Sequence, residues 1–108
     1  MNIRFLYFEG CPNQEKALNL LREVIKSKGI DENIEIIDVK SENETKRYKF
    51  LGSPSIQING KDIEKERRND QPLFGCRVYF YNGKYQGVPP KKLIEKAIDE
   101  TLNAWKII

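Results

Sequence analysis

The N-terminal third of the chain restricts the fold most. An apolar run, Asn2–Phe8, is broken at Glu9-Gly10-Cys11-Pro12-Asn13 and followed by a helical stretch to about Lys28. A second apolar run then spans Asn33–Val39. In the first run, Ile3, Phe5 and Tyr7 alternate with Arg4, Leu6 and Phe8, so both faces suit a buried central strand. In the helical stretch, Ala17, Leu18, Leu21, Val24 and Ile25 recur on one face. Pro12 suits the first helical position, where its missing N–H costs nothing. Gly29 supplies a stop. Two strands joined through a helix in this way run parallel, with a right-handed crossover.

The rest of the chain extends the pattern. Ser41, with Glu44 three residues on, reads as a capping box for a short helix that includes Tyr48 and Leu51 and ends at Gly52. Ser55–Ile58 reads as a third strand, opened by Pro54 and closed by the Asn59-Gly60 turn. Lys61–Gly75 is polar and irregular and reads as a long loop. Arg77–Tyr81 reads as a fourth strand, ending at Asn82-Gly83. Pro89-Pro90 then starts a last helix, with Leu93, Ile94, Ala97, Ile98, Leu102 and Trp105 as its apolar stripe. The expectation is one α/β domain over residues 1–108, in the order β-α-β-α-β-β-α, with a mixed four-stranded sheet flanked by helices. That order departs from the β-α-β-β-α-β of a ferredoxin-like or RNA-binding domain.

Composition narrows the function. Nineteen basic and 16 acidic residues leave a net charge of +3. The signs interleave, as in Lys61, Asp62, Glu64, Lys65 and Glu66, which describes a solvated face and no nucleic-acid footprint. Arg67-Arg68 is the densest basic spot, and acidic residues flank it. No apolar run reaches the roughly 20 residues of a membrane span. The start, Met1-Asn2-Ile3-Arg4-Phe5, lacks the layout of a signal peptide, so a cytoplasmic protein is expected. Histidine is absent, which removes the usual general base and the commonest metal ligand.

Two cysteines remain, Cys11 and Cys76. Cys11 sits on the break between strand and helix. Flanking Gly10 and Pro12 imply an exposed turn there. A sulfur at that place faces unpaired backbone N–H groups and the positive end of a helix dipole, both of which attract a negatively charged sulfur. The plainer alternative is a small thiol filling a gap in the core. For Cys76, 65 residues downstream, three readings stay open. It is an inert thiol buried at a strand edge, a resolving thiol for Cys11, or a second ligand with Cys11 for a soft metal ion such as Hg(II) or Cu(I).

The strand, then Gly10-Cys11-Pro12-Asn13-Gln14, then helix resembles the active-site turn of the thioredoxin-like superfamily. Gly52-Ser53-Pro54-Ser55-Ile56 resembles that family's cis-proline segment, and Pro89-Pro90-Lys91-Lys92-Leu93 the start of its final helix. The resemblance spans nearly the whole chain outside 61–75. It implies a thioredoxin-like fold in which Cys11 is the attacking cysteine and Pro54 the cis-proline. Ser53 would be the residue whose backbone pairs with a bound peptide or thiol, next to Pro12 on the opposing turn. Read locally, Pro54 is an ordinary trans proline at the start of a strand; the cis bond is what the resemblance implies.

Gln14 stands where the family's second cysteine would lie, so the turn cannot form its own disulfide. The implied activity is thiol exchange through Cys11 with a small thiol such as glutathione, or with a protein thiol or disulfide, without a cofactor. A non-catalytic binding module on the same fold is the alternative. The spacing of Cys11 and Cys76 is also similar, more faintly, to the thioredoxin-like core of organomercurial lyases. Those enzymes carry an aspartate where Gln14 stands, so C–Hg cleavage is not expected here, while soft-metal binding remains open.

Overall fold

In the structure, a computed structural model that describes residues 1–31 and 33–107 and side chains as far as residue 104, β1 (Ile3–Tyr7) runs inside a four-stranded sheet. α1 (Gln14–Ser27) leads from it to β2 (Ile34–Asp38), which pairs parallel with β1. On its other side β1 pairs antiparallel with β4 (Ser55–Ile58), and β4 with β5 (Lys61–Asp62), giving the order β2-β1-β4-β5. Among the described residues the fold is therefore mixed α/β with a mixed four-stranded sheet and three helices. α2 (Glu42–Tyr48) precedes β3 (Leu51–Ser53), and α3 (Lys91–Ile107) closes the described chain.

The central position of β1 follows from its two apolar faces. Ile3 and Phe5 pack with Ala17, Leu21 and Val24 of α1 and with Ile94 and Ile98 of α3. Leu6 points the other way, against Val39 and Phe50. The last helix begins at Lys91, after the buried Pro89 and Pro90. Its stripe is apolar through Ile98, but Leu102 is exposed, and Trp105 lies outside the described side chains. Ser41 caps α2 by accepting from the Glu44 amide, while the Glu44 carboxylate accepts from Lys40, one residue ahead of the cap. Lys49, in the left-handed region, ends this helix, three residues before Gly52.

The second half of the chain departs from expectation. The stretch 61–75 is not a loop throughout. Lys61–Asp62 is the fourth strand of the sheet, Lys65–Arg67 forms one 3-10 turn, and β6 (Leu73–Cys76) pairs parallel with β3. Arg77–Tyr81 does not join the main sheet. Only Tyr79–Tyr81 of it is strand, β7, which forms a separate hairpin with β8 (Lys84–Gln86). The reason is local. Asn59 and Gly60 both take positive φ, as do Asn82 and Gly83, which is the signature of tight two-residue hairpin turns. The first turn sends the chain straight back along β4, so Lys61–Asp62 takes the edge. The second folds Tyr79–Tyr81 onto its own continuation.

Candidate functional site

The turn between β1 and α1 is tighter than a helix beginning at Pro12. The Cys11 amide donates to the Phe8 carbonyl at 3.2 Å, and the Gln14 amide to the Cys11 carbonyl at 3.4 Å. Asn13 is the N-cap and Gln14 the first helical residue, so Cys11 precedes the helix instead of starting it. Gly10 takes φ +92°, a region closed to most side chains. That twist folds residue 11 back toward the protein, while Glu9, Gly10 and Pro12 stay exposed. Cys11 is consequently only 9 % exposed, which corrects the expectation of an exposed thiol. Cys76 is the exposed one, which corrects the reading of it as a buried thiol at a strand edge. Both cysteines are free.

β3 connects the two. Its last residue, Ser53, is buried, and its hydroxyl accepts from the Phe8 amide at 3.3 Å. The same residue lies in register with Cys76 across the β3–β6 pair. Its carbonyl is already taken, by the Arg77 amide at 2.9 Å. The Ser53–Pro54 peptide bond is cis, and Pro54 is buried. Ser53, Pro54, Phe8 and Cys76 therefore form one neighbourhood beside the Cys11 turn. The rings of Phe8 and Phe74 add a second link, 5.7 Å between centroids. These two rings, with Glu9, Asp38 and Lys40, border a cavity of about 310 Å³ next to the turn.

Behind Ser53–Pro54 stands a charged cluster that the sequence reading missed. The Arg77 guanidinium, wholly buried, donates to both Asp62 oxygens at 2.7 Å, to Glu64 at 3.0 Å and to the Ser55 hydroxyl at 2.9 Å. It lies over the Tyr79 ring, 4.3 Å from the centroid. Its Nε has no hydrogen-bond partner among the described residues. Burial pulls this guanidinium down, but the hydrogen bond to Asp62 and the surrounding negative charge outweigh it and hold the proton more firmly than usual. The Tyr79 hydroxyl donates to the Pro54 carbonyl at 2.6 Å. Gly52 (φ +104°) lies so close that a Cβ there would sit 3.0 Å from the Arg77 Cβ. Arg77 and Tyr79 thus grip Gly52–Ser55 at four consecutive residues. The signal was in the sequence. Asp62 and Glu64 flank the apolar Ile63 just after the Asn59-Gly60 turn, and Arg77 is the one cation leading an apolar and aromatic run.

The neighbouring arginines are also engaged. Arg67 bonds Asp70, and Arg68 donates to the Asp62 carbonyl. Among the described residues no group of three or more His, Cys, Asp or Glu side chains is arranged to hold a metal ion. No described helix is long and apolar enough to cross a membrane.

A family model described as a domain of unknown function, DUF2703, matches residues 11–98. The chain belongs to the DUF2703 family. The DUF2703 match runs from Cys11 through Ile98 and so takes in both cysteines, Ser53–Pro54 and the Arg77 cluster. No curated protein and no solved structure matches the chain.

Proposed function

We propose that this DUF2703 domain is thioredoxin-like and exchanges thiols through Cys11 with a low-molecular-weight thiol or disulfide. The observation that carries the reading is the hydrogen bond from the Phe8 amide to the Ser53 hydroxyl. It draws the Ser53–Pro54 segment, 45 residues away, onto the turn that bears Cys11. The sheet order supports the fold: β1 and β2 are parallel through α1, and β4 and β5 return antiparallel on the other side. A cysteine at the C-terminal end of a central parallel strand stands where α/β sheets hold their ligands.

Two features favour a small reactant over a protein. Cys11 offers only a small accessible area, and the β3 edge that an extended peptide would need is filled by β6. In the reaction, the Cys11 thiolate attacks one sulfur of a small disulfide. A Cys11 mixed disulfide forms, and the other half leaves as a thiolate.

The test uses Cys76→Ser protein, reduced and then mixed with oxidised glutathione, followed by peptide mass mapping. One glutathionyl group on Cys11 in the folded protein is the expected result. A Cys11 that reacts only after denaturation would overturn the reading.

A further inference from the structure

We infer that Cys76 is the built-in partner of Cys11, so that exchange ends in an intramolecular Cys11–Cys76 disulfide. This rests on the thiol-exchange reading of Cys11. The inference comes from β6, a segment that serves no purpose in the main sheet. Its four residues run parallel to β3, with only two register pairs, Leu51 with Leu73 and Ser53 with Cys76, and an irregularity between them. Cys76 is therefore presented at Ser53, the residue whose hydroxyl holds the Phe8 amide. The Phe8 carbonyl in turn holds the Cys11 amide. Two hydrogen bonds and one strand pairing, which spans about 4.8 Å, separate the two cysteines.

A second contact, independent of Ser53, acts the same way. Phe74 of β6 packs on Phe8, so β6 touches the Cys11 turn through a side chain two residues from Cys76. The backbone after Cys76 is fixed, because the Arg77 amide bonds Ser53 and the Arg77 side chain is locked to Asp62. The segment before it is exposed at Leu73 and Phe74. Cys76 thus rides on a short strand pinned at both ends, by the Leu73 amide to the Phe50 carbonyl at 2.8 Å and by the Arg77 amide to Ser53, with an irregular register between them.

The chemistry balances with a small disulfide, RSSR, as oxidant. The Cys11 thiolate attacks RSSR, forming Cys11–S–S–R and releasing one RS⁻. The Cys76 thiolate then attacks the Cys11 sulfur, forming the Cys11–Cys76 bond and releasing the second RS⁻. Two protein thiols are oxidised, one disulfide is reduced, and the two thiol protons pass to the released thiolates.

Reduced wild-type protein is mixed with oxidised glutathione, quenched with an alkylating agent, and compared with Cys76→Ser by intact and peptide mass. The wild type is expected to lose two hydrogens, carry no glutathionyl group, and yield a Cys11–Cys76 linked peptide from monomeric protein. Cys76→Ser is expected to retain one glutathionyl group on Cys11. A wild type that keeps glutathionyl on Cys11 with Cys76 still alkylatable overturns the pairing and leaves the Cys11 reading intact. Linkage found only in dimers also overturns it. If Cys76→Ser takes no glutathionyl group, the Cys11 reading itself fails.

Discussion

The Tyr79 hydroxyl donates a 2.6 Å hydrogen bond to the Pro54 carbonyl, and both groups are buried. Tyr79→Phe leaves that carbonyl without its partner, which costs about 1–3 kcal/mol. Urea unfolding of the two proteins at neutral pH measures it. The far-UV circular dichroism of the folded variant is expected to match the parent.

The same tyrosine gives the fold an alkaline limit. Burial holds the Tyr79 phenol above the ordinary tyrosine range, and the neighbouring Arg77 charge only partly opposes this. The folded state prefers the neutral phenol. Its contribution is therefore complete below about pH 10, the free-phenol value, and is lost as pH rises above that. Stability measured at about pH 9 and about pH 11 is expected to fall less in Tyr79→Phe than in the parent.

Removing Arg77 leaves two carboxylates in the interior. Arg77→Met is expected to destabilise by about 3–5 kcal/mol, the usual cost of stripping one partner from a buried pair. Adding Asp62→Asn and Glu64→Gln to that variant is expected to restore part of the loss, because the stranded charge goes with them. Arg77→Lys is expected to rescue poorly, since a single ammonium cannot fork across Asp62, Glu64 and Ser55. Denaturation midpoints of the three proteins decide this. A contrasting exposed pair, Arg4 with Glu35 at 2.7 Å, is expected to contribute less than about 1 kcal/mol.

Gly52→Ala tests the close approach of β3 to Arg77. The substitution meets an unfavourable φ and a Cβ contact at 3.0 Å, and a loss of about 1–3 kcal/mol is expected. Gly60→Ala, also at positive φ but with open space around its Cβ, is expected to lose less. Thermal unfolding of the pair separates steric crowding from backbone strain.

What could be read from the chain is what neighbours in sequence decide. β1, α1 and β2 announce themselves by periodicity, Ser41 by its spacing to Glu44, and both hairpins by Asn-Gly. β6 gave no such signal. Leu73 and Cys76 pair with Leu51 and Ser53, more than twenty residues away, and a four-residue strand holding Gly75 has no pattern to find. Gly and Pro flanking Cys11 imply an exposed turn. The turn that buries it depends on the φ of Gly10 and on the bond to Phe8, neither of which composition reveals. In the sequence Arg77 has the signature of an ordinary strand residue, because its partners, Asp62 and Glu64, lie across the polar stretch that reads as a loop.

The Arg77–Asp62 fork also closes the base of the segment between those residues. Ile63 beside it is buried in the core and β6 pairs with β3, so the stretch between them is fastened at both ends. Past Arg68, which is tied to the Asp62 carbonyl, chain length at 69–72 is therefore the freest to vary, since both ends are fixed. A single protease cut there would leave two fragments still held together by the buried fork and by the β3–β6 pairing.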